Sequence, residues 1–306
     1  MVIVVCGVAC EGPVARTVEA LRRRGADFVV IEPEMLGAEV SVRWRLERGA
    51  IDGVIAVGER VIAVSEIGGV YLRYLGDPAS TAEDPRSRRA RGTAVALAEL
   101  FDVLPARVVN RRRPMISNNS KPFQSLLIRA AGFAVPPTLV TNEPATARAF
   151  AAARGPVIYK STSSVRSIVA TLAAEDLERL GAIRGLATHF QAAIRGVEMR
   201  VHVVDGATFG ARIRSDRADY RYAAAQGGQT TIAPIEVPRP LAERCVALAR
   251  ALEMTFVGID LIVGEREAVC LEVNPCPGFS YYEDATGAPI ADALAASLDG
   301  EAVADP

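Results

Sequence analysis

A chain of 306 residues that is 50% apolar and 23% charged has enough material for a large core and for two or three lobes of one enzyme-sized body. A formal net charge of −1 excludes the plainly basic balance of a general nucleic-acid binder. Five cysteines, an odd number with no zinc spacing toward the only histidines, His189 and His202, argue against a disulfide framework or a zinc site, and no apolar run suits a membrane span, so a cytoplasmic protein with neither nucleic acid nor membrane as partner is expected.

From the amino terminus, VIVVC at 2–6 reads as a buried strand, 13–24 as an amphipathic helix and DFVVIE at 27–32 as a second strand. Strand, helix, strand is the pattern of a parallel, right-handed βαβ unit. Gly7 and Gly12 lack the spacing of a dinucleotide fingerprint, so an ordinary strand-to-helix turn is expected there. Short strands follow at 41–45, 52–57, 60–64 and 69–75. Residues 76–92 read as a polar, Arg-rich loop leading into a helix at about 92–103. Arg111, Arg112 and Arg113 read as a solvated basic run or, in an enzyme for acidic substrates, as part of the substrate entrance.

Ser120 is placed to cap a helix at 121–131 that Gly132 closes, and a further helix is expected at 144–153. GPVIYK then forms a short strand ending at Lys160, beside the hydroxyl-rich STSSVRS at 161–167, a combination suited to cradling phosphate. HFQAAI, EMRVHVVDG and TFGARIR read as strands, 239–253 as a helix and 289–298 as an Ala-rich terminal helix. Many strands with few helices predict an antiparallel sheet in this half.

The stretch 256–278, FVGIDLIVGEREAVCLEVNPCPG, sets two apolar runs about the charged turn GERE and reads as a β-hairpin. Period two puts Val257, Ile259, Leu261 and Val263 on one face, matched by Val269, Leu271 and Val273, and leaves Asp260, Glu272 and Asn274 on the other. A three-residue loop sets Asp260 opposite Glu272, with Cα atoms roughly 5 Å apart. Like charges so placed repel, by about 4 kcal/mol at 4 Å separation and an effective dielectric of 20. A divalent cation reverses that sign, and two carboxylates with an amide oxygen are hard ligands suited to Mg²⁺ that also holds substrate phosphates. The plainer alternative is a solvated polar face on an edge hairpin.

In this order the pieces resemble the ATP-grasp ligases, most closely the RimK-like branch of ribosomal-protein glutamate ligases and graspetide peptide ligases. The resemblance covers 2–298 and rests on KPFQSLLIRAAGFAVPPTLVTNEP, IYK, HFQAAIRGVEMRVHVVDG, SDRADYR, VGIDLIV with LEVNPCPG, and YEDATGAPIADAL. It implies an α/β (α+β) ATP-grasp fold: a parallel-sheet domain at 1–112, a central lobe at 113–188, and a C-terminal lobe at 189–306 with the metal-binding hairpin, the two lobes enclosing ATP.

The resemblance also implies roles. Asp260, Glu272 and Asn274 match the ligands of Mg²⁺, with Mn²⁺ as its substitute, and Lys121 and Lys160 match the lysines on the ATP phosphates. Gln191, Ala192 and Ala193 match the hinge whose amides read adenine, and Glu198 the acid on the ribose hydroxyls. Arg200 matches the arginine facing the transferring phosphoryl group, with Arg214 beside it on the next strand, and Lys160 is counted with these as catalytic. Asp219, Tyr220 and Arg221 resemble a substrate-side element. The implied activity is ADP-forming carboxylate–amine ligation through an acyl phosphate, on a peptide or amino acid, with an ester as the product where a hydroxyl takes the place of the amine. The alternatives are a glutathione- or dipeptide-type ligase and a non-catalytic nucleotide-binding descendant. Related enzymes commonly form dimers or tetramers, so a homo-oligomer is compatible with it. Two features depart from the glutamate ligases: the lid stretch STSSVRS contains no glycine, and Gln226 stands where they often carry arginine.

Overall fold

The computed structural model describes residues 1–76, 82–161, 169–216, 227–265 and 267–303. Strand β1 (Val2–Cys6), helix α1 (Gly12–Arg23) and strand β2 (Phe28–Ile31) form the expected parallel unit, in register from Ile3↔Phe28 to Cys6↔Ile31. Every residue of β1 is buried, as its unbroken apolar run requires of a strand covered on both faces. Strands β3 (Val40–Glu47), β4 (Ala50–Val57) and β5 (Arg60–Ala63) make a separate antiparallel meander. Its first hairpin closes on Arg48 and Gly49, both at positive φ, the two-residue turn whose twist suits paired strands. Strand β6 (Ile67–Leu72) returns beside β1, and strand β7 (Arg107–Val109) completes a parallel sheet ordered β2-β1-β6-β7.

The helix expected at 92–103 is longer: α2 runs Pro85–Val103. Asp84 caps it by accepting from the Ser87 amide at 3.0 Å, Pro85 suits the first turn, and arginine is a good helix former, so half of the expected loop is helix. Arg111, expected in a solvated run or at an entrance, is instead a staple. Its guanidinium donates to the carbonyls of Phe101, Leu104 and Ala106 at the end of α2.

After the short helix α3 (Arg112–Met115), helix α4 (Lys121–Ala130) starts at the expected cap, where Ser120 Oγ accepts from the Phe123 amide. Strand β8 (Thr138–Thr141), helix α5 (Pro144–Arg154), strands β9 (Val157–Ser161) and β10 (Ala170–Thr171), helix α6 (Ala174–Glu178) and strand β11 (Thr188–Ala192) follow. Their sheet is antiparallel in the order β10-β9-β11-β8. Strand β11 therefore belongs to this second sheet, and a lobe boundary at 188/189 would cut through it; the sheet ends after Ala192.

Strands β12 (Val197–Val204), β13 (Ala207–Ser215) and β14 (Thr230–Pro234), helix α7 (Arg239–Ala251), strands β15 (Phe256–Val263) and β16 (Ala268–Asn274), and helices α8 (Ser280–Thr286) and α9 (Ile290–Leu298) complete the chain. The sheet is antiparallel as expected, ordered β14-β13-β12-β15-β16. One face is a dry layer of Met199, Val201, Val203, Val257, Ile259 and Leu261 against Leu241, Cys245 and Leu248 of α7. The opposite face divides. At one end Val204, Phe209 and Phe256 pack on Phe279, Tyr282 and α9, which returns to α1 of the first sheet. At the other end that face carries Glu198, Arg200, Asp260 and Glu272. Among the described residues no helix is long and apolar enough to cross a membrane, and all five cysteines are free thiols.

Candidate active site

Asp260 and Glu272 are directly opposed across the β15–β16 pair, and Gly258 faces Asn274. The expected pairing is present by a different route. The loop has four residues, closed by Val263↔Ala268, and a bulge between Asp260 and Leu261 takes up the difference. That bulge changes the phase of β16: Ala268, Cys270 and Val273 line the dry layer, whereas Val269 and Leu271 were expected to join Val273 there.

Each carboxylate has a cation at its flank. Asp260 Oδ1 lies 3.0 Å from Arg200 Nε, and Glu272 Oε2 lies 3.1 Å from Lys121 Nζ. The side chains of Asp260 and Glu272 are 23% and 27% exposed, against 5% and 11% for Arg200 and Lys121, so the acids are more open to solvent than the cations that flank them. Asn274 Oδ1 accepts from the Cys276 amide at 3.0 Å. Among the described residues no three His, Cys, Asp or Glu side chains gather as a protein-only metal cage. Two carboxylates with one amide oxygen fit Mg²⁺, which keeps part of its shell for water and phosphate, better than Ca²⁺ or Zn²⁺.

Three polar side chains that the sequence reading missed hold this hairpin. Gln124 of α4, 2% exposed, grips Val273 between Glu272 and Asn274: Nε2 donates to its carbonyl at 2.7 Å and Oε1 accepts from its amide at 3.0 Å. Asn110, at the end of β7, accepts from the amides of Thr255 and Phe256 and donates to the carbonyls of Phe256 and Pro275. Arg73, just past β6, donates to Pro277 O at 3.0 Å and to Cys276 Sγ at 3.2 Å. The first sheet and α4 thus fix the open end of the hairpin, where β15 begins and β16 finishes. The one sequence signal was a polar residue on an otherwise apolar face, as at Gln124.

Arg200 occupies a built slot. Its Cζ lies 5.7 Å from the centroid of the Tyr282 ring, and a Cβ on Gly258 would stand 2.3 Å from its Nη1, so only glycine leaves room for the guanidinium. His202, two residues along β12, is fully buried with its ring 4.9 Å from that of Tyr282. Burial, with Arg200 beside it, holds the imidazole well below its usual pKa and so keeps it neutral.

The remaining expected residues divide. Glu198 lies on the Arg200 face of β12, half-buried. Arg214 does not lie beside Arg200. The register pairs Arg200 with Ala211, and alternation turns the exposed Arg214 to the opposite face of the sheet. Lys160 is buried on β9, its Cα partner in β11 being His189. Gln191 is held by its side chain, which donates to Thr138 Oγ1 at 3.3 Å. The amides of Ala192 and Ala193, expected to read adenine, already donate to the carbonyls of Pro137 and Pro156. The next amide, Ile194, has no acceptor among the described residues. Asp219, Tyr220 and Arg221, Gln226, and all of the 161–167 stretch but Ser161 lie outside the described residues.

With this geometry in view, comparison with known proteins gives one answer. The family model for the RimK-like ATP-grasp domain matches residues 118–298. A probable alpha-L-glutamate ligase of Xanthomonas oryzae pv. oryzae is 28% identical over 296 residues, covering 93% of this chain and 92% of that protein. Among solved structures, the ATP-grasp ligase PsnB complexed with a phosphomimetic variant of its minimal precursor, Mg and ADP is 26% identical with a TM-score of 0.79, covering 97% of each chain. The Chryseobacterium gregarium RiPP-associated ATP-grasp ligase, with ADP and a leader and core peptide, superposes at TM-score 0.81 over 100% of this chain and 98% of its own. At 18% identity it speaks to the fold alone. A family model spanning more than half of the chain, on a matching fold, makes this protein a member of the RimK-like ATP-grasp family of ADP-forming ligases.

Proposed function

We propose that the protein joins a peptide carboxylate to an amine at the expense of ATP. A carboxylate oxygen attacks the γ-phosphorus, the bond to the bridging oxygen breaks, and ADP leaves an acyl phosphate. The amine nitrogen then attacks the acyl carbon, phosphate departs, and the nitrogen loses a proton to give the amide. Catalysis of such a transfer is mostly positioning and charge neutralisation. Asp260, Glu272 and Asn274 would hold Mg²⁺, or Mn²⁺ in its place, which when bound neutralises phosphate charge. Lys121, released from Glu272, and Lys160 would contact phosphate oxygens. Arg200 would face the transferring group, Glu198 the ribose, and the Ile194 amide the adenine edge.

The observation that carries this reading is the pair of opposed carboxylates, partly exposed, each flanked by a less exposed cation drawn from a different element. A single charge-assisted hydrogen bond is worth about 1.5–3 kcal/mol, which is roughly tenfold or more in rate if made only in the transition state. The peptide substrate is supported by PsnB, solved with its minimal precursor. Glutamate as the amine is supported by the names of the curated relatives. One screen separates the two: ADP release against candidate precursor peptides with and without glutamate, followed by product mass. A mass lower by one water for each linkage indicates internal side-chain ligation, and a mass raised by a glutamyl residue indicates glutamate transfer. Release of AMP and pyrophosphate would sink the mechanism.

A further inference from the structure

His189 is a polar group that neither the fold nor the proposed reaction uses. It lies on β11 opposite Lys160, on the sheet face that also carries Lys160 and Gln191 and away from the small core of Val157, Leu180 and Phe190. Its exposure is 1%, and neither ring nitrogen has a hydrogen-bond partner among the described residues. Gln191, two residues on along the same face, has found one in Thr138. A buried imidazole with both nitrogens unmatched carries a desolvation penalty that an apolar residue would avoid, and native proteins keep few such groups without a reason.

Its neighbours indicate the reason. Burial, with the charges of Lys160 and then Lys121, pushes His189 down to about 4, so at neutral pH it is an uncharged ring with one N–H to donate. Lys160 stands directly across the strand pair from the ring, Lys121 is engaged by Glu272, and lysine has no acceptor to offer an N–H. What complements an unmatched ring N–H in a field of positive charge is an anion with acceptor oxygens.

We propose that His189 is a third phosphate contact of the nucleotide, donating its ring N–H to an oxygen of the polyphosphate that Lys121 and Lys160 attract. The proposal rests on the nucleotide-site reading given above. It is tested by calorimetric titration of the full chain with MgADP and with adenosine. His189→Leu is expected to weaken MgADP tenfold or more and to leave adenosine within twofold, and His189→Gln, which keeps an N–H donor, to restore most of the loss. Nitrogen NMR of the unaltered protein gives an independent reading, since the chain has only two histidines. MgADP should shift the His189 ring signals and adenosine should not. Unchanged MgADP affinity in His189→Leu, equal losses for adenosine, or unmoved ring signals at saturating MgADP would each overturn the proposal alone. Failure of the wild-type protein to bind MgADP would overturn the nucleotide-site reading and the proposal with it.

Discussion

The β15–β16 hairpin and the β9–β11 strand pair both bring charged or polar side chains into the candidate site, but they hold them differently. In the hairpin, opposed acids are balanced by Arg200 and Lys121, and buried amide side chains clamp the backbone between them. On β9 and β11, Lys160 and His189 are placed opposite each other by sheet register, and neither imidazole nitrogen has a hydrogen-bond partner among the described residues. The hairpin balances its charges within itself, whereas the strand pair leaves an imidazole unmatched. That contrast fits the proposed site, in which one wall would fix the metal and the other would meet phosphate.

The largest effect expected is on the hairpin. Asp260→Asn or Glu272→Gln exchanges a charged carboxylate for a neutral amide, and should lower ADP release by about a hundredfold or more at fixed Mg²⁺. The Mg²⁺ concentration for half-maximal rate should rise with it. Asp260→Asn should also cost more stability in a urea melt than Glu272→Gln, because it takes a carboxylate from the more deeply buried cation, Arg200. A hundredfold loss from neither variant would break the comparison at its strongest point.

Next comes the clamp. Gln124→Leu leaves both the amide and the carbonyl of Val273 buried without their partner, at about 1–3 kcal/mol for each group. Gln191→Ala on the other wall gives up one 3.3 Å bond to Thr138, worth about 0.5–1.5 kcal/mol. Urea melts of the two variants compare the walls directly, and equal losses would mean that the hairpin is no more tightly held than β11. Between these in kind is Gly258→Ala, whose Cβ must displace the guanidinium of Arg200. It should lower kcat about tenfold with little change in KM for ATP, as loss of a contact made only in the transition state does.

These residues also show what was legible in the chain. Asp260, Glu272 and Asn274 could be placed on one face because a strand's period is short and local. Even so, the loop length was wrong, and an unforeseen bulge restored the pair. Helix α2 was misjudged locally: Asp84 and Pro85 are a cap and a first-turn proline that outweigh a basic stretch. Gln124, Asn110 and Arg73 were out of reach for another reason. They act on backbone 149, 146 and 204 residues away, and nothing in their own neighbourhoods announces it. The hinge amides failed similarly, since Ala192 and Ala193 are spoken for by the carbonyls of Pro137 and Pro156, far away in sequence.

The acid limb of stability should separate the walls again. The folded-state pKa of His189 lies below the ordinary value, so the unfolded chain takes up a proton first as pH falls. The stability this histidine contributes is complete above about 6.5 and is lost progressively toward about 4. Melts at intervals across that window should show a shallower decline in His189→Leu than in the wild type. An identical slope would mean that His189 takes up its proton alike in the folded and unfolded chains. His202 keeps part of the slope in both proteins, since it too is held neutral by burial.

The smallest effect expected belongs to Arg214, and it tests the register itself. Sequence order put this arginine next to Arg200 on the following strand. Antiparallel pairing instead gives Arg200 the small neighbour Ala211, and a three-residue step along β13 ends on the far face. The Arg214 side chain is exposed there, and a surface cation away from any buried partner contributes little. Arg214→Ala should therefore change kcat less than twofold and stability within about 0.5 kcal/mol, while Arg200→Ala, removing a cation from the slot beside Asp260, should lower kcat by at least about a hundredfold. A loss at Arg214 approaching that at Arg200 would mean that β13 shifts by one residue when substrate binds, since only a one-residue slip carries its side chain across the sheet.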